Sequence, residues 1–216
     1  EVVVEDRPVP ELGPHDVLLE VSHCGVCGSD LHMFVDGWGA PNSIGGHEYS
    51  GRVVAVGDDV TGWSPGDEVV GGPAQRCGEC EYCLAGRPQL CTGRASPGVG
   101  DFQGAFADFV RVRDAELLRV PPGVSMRAAA LAEPLAVALH GLTRGGVEAG
   151  QGVLGAGCGP NGALSIAAAR SRGVTDVVAS EPHPTRRARP GGLLRSGVRL
   201  EAAPNRERRR QKAHNL

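Results

Sequence analysis

Residues 71–91 read GGPAQRCGECEYCLAGRPQLC, and the four cysteines among them, Cys77, Cys80, Cys83 and Cys91, are spaced C-x2-C-x2-C-x7-C. Gly and Pro are too frequent here for a helix or a central strand. A loop that folds back on itself can instead present four thiolates to Zn2+, which imposes no geometry from its d electrons and accepts them tetrahedrally. Four protein ligands leave no position for a substrate, so such a zinc is structural and the lobe needs no core of its own. Two disulfides are the competing reading, but nothing else in the sequence points to an oxidising compartment. Chemistry has to be sought elsewhere in the chain.

At 216 residues with 41% hydrophobic side chains, the chain is long enough for one large domain or two small ones with a sizeable core. The longest apolar run, around Ala128 to Leu142, is interrupted by Glu133 and Pro134 and falls short of the roughly 20 residues of a membrane span. No signal peptide is visible, and a cytoplasmic location with no membrane partner is expected. The net charge of −3 conceals a break near Pro182: residues 1–181 carry 12 Arg and no Lys against 23 acidic side chains, and residues 182–216 carry 10 basic against 2 acidic. The acidic body is not expected to bind a polyanion through its overall field and the basic tail only non-specifically, so no specific nucleic-acid partner is expected.

Outward from the cysteine lobe, the first half reads as β. DVLLEV (16–21), GRVVAVG (51–57), DEVVGG (67–72) and DFVRVRD (108–114) are short Val-rich runs bounded by Gly, Pro and Asp, at the spacing of a small barrel. From Ser125 to Arg144 the pattern turns helical, with Pro134 suited to a first helical turn. GVLGA (152–156), ALSIAAARSR (163–172) and TDVVASE (175–181) then read as strand, helix and strand, a βαβ unit. Beyond Glu181 no period is sustained, and residues 182–216 are expected to be disordered or aberrant. The fold class is therefore mixed α/β. Its expected division is 1–144 for the zinc-binding β domain, 145–181 for an incomplete doubly wound nucleotide-binding domain, and 182–216 for the tail.

Two constellations carry chemistry. HCGVCGSDLH places Cys27, Ser29, Asp30 and His32 together, and GGHEYSG places His47 beside Glu48 about 20 residues later. Thiolate, imidazole and carboxylate are the donors of a catalytic zinc that keeps one position open. Cys27 and His47 are the first pair to consider, against the plain alternative of a buried thiol and a satisfied histidine. Asp30 is the near carboxylate that can take the second ring N–H of His47, and Cys24 reads as a small buried hydrophobe. In the second constellation, Gly157, Gly159 and Gly162 form G-x-G-x-x-G between a strand and a helix. Such glycines permit a tight turn, close approach of a pyrophosphate and close helix packing. Glu181, 19 residues after Gly162, sits where a carboxylate holds a ribose 2′-OH, which favours NAD over NADP. Arg186 and Arg187 follow and soften that preference, or are ordinary solvated charges.

Through GVCGSDLH (25–32), GHEYSG (46–51), the four-cysteine lobe, AEPLAVALH (132–140) and GCGPNG (157–162), in that order, residues 1 to about 189 resemble the zinc-dependent medium-chain alcohol dehydrogenases. Within them the sequence is similar to the sorbitol, threonine and butanediol dehydrogenase branch. The resemblance implies a GroES-like β-barrel catalytic domain followed by the start of a Rossmann domain, here truncated or frame-shifted after about residue 189. It implies two zinc ions per chain and NAD, oxidation of a small-molecule alcohol or polyol, and a homo-oligomeric parent enzyme. It also implies that the catalytic zinc is held by Cys27, His47 and a carboxylate, either Glu48, or Glu133 directly or through water, since EPLAV has Glu133 where another branch has a second thiolate. Glu133 on its own reads equally as a helix-start carboxylate. Ser29 and His32 match the family's proton relay.

Two other outcomes remain open in the sequence. The incomplete nucleotide-binding sheet allows a catalytically inactive remnant of such an enzyme. A zinc ribbon with a basic tail that meets nucleic acid is the other, opposed by the acidic body and by the scarcity of basic residues among the four cysteines.

Overall fold

The computed structural model describes residues 2–96, 103–188 and 198–201. The chain divides into two compact units, Glu1–Glu133 and Pro134–Leu216.

The Val-rich runs of the first unit form the expected strands, the first two longer and the last two shorter than the runs themselves. They are β1 (Asp16–Gly25), β2 (Glu48–Val56), β3 (Glu68–Val70) and β4 (Phe109–Arg113), with a two-residue β5 (Leu118–Arg119) that was too short to show in the sequence. All pairings are antiparallel, in the order β4-β1-β2-β3-β5. Alternation decides the inner face: Val17 and Leu19 of β1 and Val110 and Val112 of β4 point into a core with Tyr49, Val53, Val69 and Leu117. Val110 and Val112 come from one edge strand and Leu117 directly precedes the other. Their shared core therefore requires the sheet to curl on itself, and Trp63 Nε1 helps hold the curl by donating to the Asp114 carbonyl at 3.0 Å. Register shifts at Leu18/Leu19 and Val21/His23 bend β1, so that its last residue, Gly25, lies opposite Glu48, the first of β2.

Three local features depart from the sequence reading. The segment after Cys27 is a helix, α1 (Gly28–Val35), whose first turn holds Ser29 and Asp30. Inside the cysteine lobe, where no helix was expected, one turn forms as α2 (Glu81–Leu84), followed by a 3-10 turn at Pro88–Leu90. A single helical turn tolerates the Gly and Pro that flank it and brings Cys80 and Cys83 to one side. The helix expected over 125–144 is two, α3 (Met126–Ala129) and α4 (Ala132–Arg144). Pro134 has no N–H for the Ala130 carbonyl, and the helix breaks there.

The second unit begins within α4. Leu135, Leu139 and Leu142 pack with Cys158, Ile166, Ala169, Val177 and Ala179, so the boundary falls after Glu133 rather than after Arg144. β6 (Gly152–Ala156), α5 (Pro160–Ser171) and β7 (Asp176–Ser180) make the expected βαβ unit with parallel pairing. The expectation that nothing regular follows Glu181 is corrected: α6 (Pro184–Ala188) follows, and β8 (Val198–Glu201) pairs in parallel with β7, giving the order β6-β7-β8. The sequence around these two short elements is interrupted by Pro and Gly, so their few repeats did not stand out. The arginine-rich run 206–210 lies outside the described residues.

Leu19 is fully buried and Leu154 is 74% exposed. Leu19→Ala should therefore lower the unfolding free energy of the first unit by about 2–5 kcal/mol, and Leu154→Ala should change stability by less than about 0.5 kcal/mol. Urea midpoints of the two variants measure this.

Candidate metal centres and nucleotide turn

In the lobe, the sulfur atoms of Cys77, Cys80, Cys83 and Cys91 lie within 4.8 Å of one another, and all seven cysteines are free thiols. The turns aim backbone N–H groups at the sulfurs: Cys77 N donates to Cys91 Sγ at 3.3 Å and Cys80 N to Cys77 Sγ at 3.4 Å. Donors from Glu79 and Cys80 lower the Cys77 thiol, and donors from Cys83 and Thr92 bring Cys80 down to about 6, whereas burial pushes Cys83 up to about 12. Four converging soft donors, two of them already biased to thiolate, fit a tetrahedral zinc with no open position. The lobe is tied to the barrel on both sides. Gln75 and Ala95 exchange backbone hydrogen bonds of 2.8 and 3.0 Å, and Arg76 reaches the nearly buried Glu116 at 2.6 Å.

The second cluster is assembled from two elements. Cys27 precedes α1, His47 and Glu48 stand at the start of β2, and their ligand atoms lie within 4.8 Å of one another. Asp30, with only 7% of its side chain exposed, holds the two elements together. Its Oδ2 accepts from Cys27 N at 2.8 Å, its Oδ1 accepts from Gly46 N at 3.2 Å, and Oδ1 stands 3.6 Å from His47 Nδ1. With Nδ1 turned to a carboxylate, Nε2 is left as the metal-binding nitrogen. Three converging donors of mixed softness fit a zinc ion.

Glu133, in the first turn of α4, is not in the 4.8 Å set. Burial holds its carboxyl above the ordinary carboxylate range, Glu48 adds to this and His47 opposes it, which places Glu133 within electrostatic reach of both. Cys24 packs against the barrel core, and burial raises its thiol to about 11, as befits a small hydrophobe. Ser29 is half-buried on α1. His32 is exposed, bonded through Nδ1 to Asp36 Oδ2 at 2.6 Å and stacked on Trp38 with ring centroids 4.9 Å apart.

Two glycines that the sequence reading passed over permit close packing around this cluster. A Cβ on Gly25 would collide with the Glu48 carboxylate. Gly46 has φ +94°, and a Cβ there would lie 2.8 Å from Phe106 N and 2.9 Å from Cys24 Sγ. Their signal was present, since each glycine sits within two residues of a ligand in G-V-C and G-H-E.

In the second unit, Gly157 turns at φ +101° after β6, Gly159 precedes α5 and Pro160 opens it. Any side chain at Gly162 would strike the Gly157 carbonyl. Glu181, at the end of β7, is 2% exposed, and its oxygens accept from Cys158 N and His183 N, each at 2.8 Å. These donors hold its carboxyl below the usual range, with smaller help from Arg186 and His183. The sequence placed Glu181 correctly beside the turn but gave no sign that it grips the turn's backbone.

Residues 13–122 match the alcohol dehydrogenase GroES-like domain. The chain is 38% identical over 204 residues to the sorbitol dehydrogenase of Halalkalibacterium halodurans, covering 93% of this chain and 55% of that protein. It thus spans about half the length of that relative. Among solved structures, the alcohol dehydrogenase TADH from Thermus sp. ATN1 superposes with a TM-score of 0.84 at 34% identity, covering 100% of this chain and 64% of that one. A Sinorhizobium meliloti protein assigned as a zinc-binding dehydrogenase and bound to NADP superposes with a TM-score of 0.80 at 34% identity, covering 91% of this chain and 56% of that one.

Asp30→Ala should weaken zinc at the Cys27/His47 cluster about 10–100-fold, and should lower stability by about 1–3 kcal/mol because two buried N–H donors lose their acceptor. The lobe should keep its metal; chelator competition measures both sites. For Glu181, the folded pKa lies below the ordinary carboxylate value of 4.5, so its stabilising contribution is complete above that value and is lost as pH falls through the lowered one. Relative to Glu181→Gln, the wild-type chain should lose stability only below about pH 5, as read from denaturant midpoints across pH.

Proposed function

The chain belongs to the zinc-dependent medium-chain alcohol dehydrogenase family, and from that premise we propose that it supplies the metal ligands and the opening nucleotide turn of an oxidoreductase that moves a hydride from a secondary alcohol or polyol to a nicotinamide dinucleotide. The observation that carries the proposal is the convergence of Cys27, His47 and Glu48 within 4.8 Å beside the buried Asp30. Bound there, zinc would supply Lewis acidity to an alcohol oxygen, and the dinucleotide would supply the hydride acceptor.

The chain's own residues do the rest. Cys27 presents a thiolate and His47 its Nε2, kept in register by Asp30. Glu48 is the direct carboxylate ligand in this reading, supported by its place in the converging set, and Glu133, outside that set, acts through its charge. Ser29 and His32 lie three residues apart on α1 and so share a face. Ser29 takes the alcohol proton and His32, exposed beside Asp36, passes it to water. Gly157, Gly159 and Gly162 let the pyrophosphate approach the N-terminus of α5. A polyol is favoured as substrate by likeness to a sorbitol dehydrogenase. Among the described residues no helix is long and apolar enough to cross a membrane.

Metal analysis should find two zinc ions per chain. Cys83→Ser should remove one and destabilise the first unit, whereas Cys27→Ser should remove the other with the fold retained. Glu48→Gln should empty the Cys27/His47 cluster, and Glu133→Gln should retain zinc and slow alcohol-dependent NADH formation. Equal zinc and equal rate in both carboxylate variants would refute this ligand set. Zinc-loaded protein that forms no NADH with sorbitol, threonine, butanediol or simple secondary alcohols would return the inactive-remnant reading.

A further inference from the structure

The end of α1 closes on a single side chain, His32. Asp36 follows it by one helical turn and holds it at both backbone and ring: Asp36 N donates to the His32 carbonyl at 3.0 Å, and Asp36 Oδ2 stands 2.6 Å from His32 Nδ1. Gly37, at φ +71°, then turns the chain back on the helix, and Gly39 N donates to the Met33 carbonyl at 3.2 Å. The reversal lays Trp38 against His32, with ring centroids 4.9 Å apart and planes 20° from parallel. The imidazole is therefore gripped at one edge by a carboxylate and on one face by an indole.

A capped helix end needs neither contact. Asp36 N already satisfies the His32 carbonyl, and an exposed pair at this spacing adds little stability. What the two contacts do fix is the state of the ring. A neutral imidazole carries one N–H, and the hydrogen bond made at one nitrogen decides which nitrogen bears it. An ionised carboxylate can only accept. With Nδ1 facing Asp36, the proton sits on Nδ1 and the lone pair on Nε2, and the stacked Trp38 opposes the ring rotation that would exchange the two nitrogens.

We propose that Asp36 and Trp38 are positioning residues for proton transfer: they hold His32 as its Nδ1–H tautomer, with Nε2 presented as the base. This rests on the Ser29–His32 relay of the preceding section and adds the groups that orient its base. In the transfer, Ser29 Oγ takes the alcohol proton as its own passes to His32 Nε2. The imidazolium so formed is held by the Asp36 carboxylate, and Nε2 then gives the proton to water. Asp36 keeps its charge throughout and takes up no proton. If Asp36 and Trp38 were only helix-end packing, their removal would leave the tautomer and the transfer unchanged.

The test is NMR of the zinc-loaded chain, isotope-labelled at the histidine nitrogens, at about pH 9, where imidazoles with ordinary values of about 6.5 are neutral. His32→Gln identifies the ring signals. The wild type should show a protonated Nδ1 and a bare Nε2, and Asp36→Ala should move His32 toward the Nε2–H tautomer that free histidine prefers. Asp36→Glu, which keeps the carboxylate, should restore part of the wild-type pattern. Trp38→Ala should remove the upfield ring-current shift of the carbon-bound protons of His32. In alcohol-dependent NADH formation, Asp36→Ala should lower kcat by about tenfold, a part of the roughly 10²–10⁴-fold that a positioned acid–base group contributes, with zinc affinity at the Cys27/His47 cluster unchanged. A wild-type ring in the Nε2–H form, or a tautomer indifferent to Asp36→Ala, overturns the inference. A tautomer that moves while kcat stays the same overturns its part in the relay. A wild-type chain that forms no NADH from any of the alcohols overturns the oxidoreductase reading and the relay with it, and the ring signals still decide the grip on His32.

Discussion

The carboxylate of Asp30 is the joint on which the first unit's chemistry depends. Cys27 and His47 are separated in sequence by the whole of α1 and the loop behind it; the pairing of Gly25 with Glu48 at the end of the β1–β2 ladder brings their backbones near one another, and Asp30 adds the bonds that hold them there. Asp30 bridges the gap by accepting Cys27 N and Gly46 N and by facing His47 Nδ1, so one buried side chain fixes the position of two ligands and the ring orientation of one. Burying a carboxylate is expensive unless it is hydrogen-bonded, and here the two backbone donors do that work. The same bonds give the first turn of α1 the acidic residue that suits a helix N-terminus. A bound metal would thus find its ligands already gathered.

The cysteine lobe solves a different problem with the same means. It has no apolar core, and what organises it are N–H donors aimed at sulfur and two tethers to the barrel, the Gln75–Ala95 bridge and the Arg76–Glu116 pair. Glu116 is nearly buried, which makes its pair with Arg76 less screened than a surface pair. Four thiolates left without a metal would repel one another, so the lobe's order and its metal are coupled.

Much of this was legible in the residues. Cysteine spacing identified the lobe, Val-rich alternation gave four strands of the barrel, and G-x-G-x-x-G between strand and helix gave the βαβ unit. The misses have physical causes. Pro134 divides a run that is helical by composition, because the proline's effect falls four residues upstream, at a carbonyl that no periodicity reports. α6 and β8, of five and four residues, lie in a stretch of sequence interrupted by Pro and Gly, where so few repeats do not stand out. The domain boundary was set at a Gly-rich linker, whereas packing set it earlier, since Leu135, Leu139 and Leu142 of α4 bury against the second unit's core. In the site, the donor types were visible in the sequence, but that Glu48 and not Glu133 stands in the converging set with Cys27 and His47 needed distances, and the close packing at Gly25 and Gly46 needed the space around them.

Glu181 repeats in the second unit what Asp30 does in the first. Each is a carboxylate buried at the end of one segment that accepts backbone N–H groups from the segment carrying the binding function: Cys27 and Gly46 for Asp30, Cys158 for Glu181. Such bonds constrain main chain rather than side chain, so the glycine turn keeps its positive-φ geometry without any bulky residue in the way of a phosphate. They also consume acceptors. A carboxylate that spends oxygens on holding a turn has fewer lone pairs left for any ligand, so Glu181 serves first as a brace between the glycine turn and the chain that follows β7.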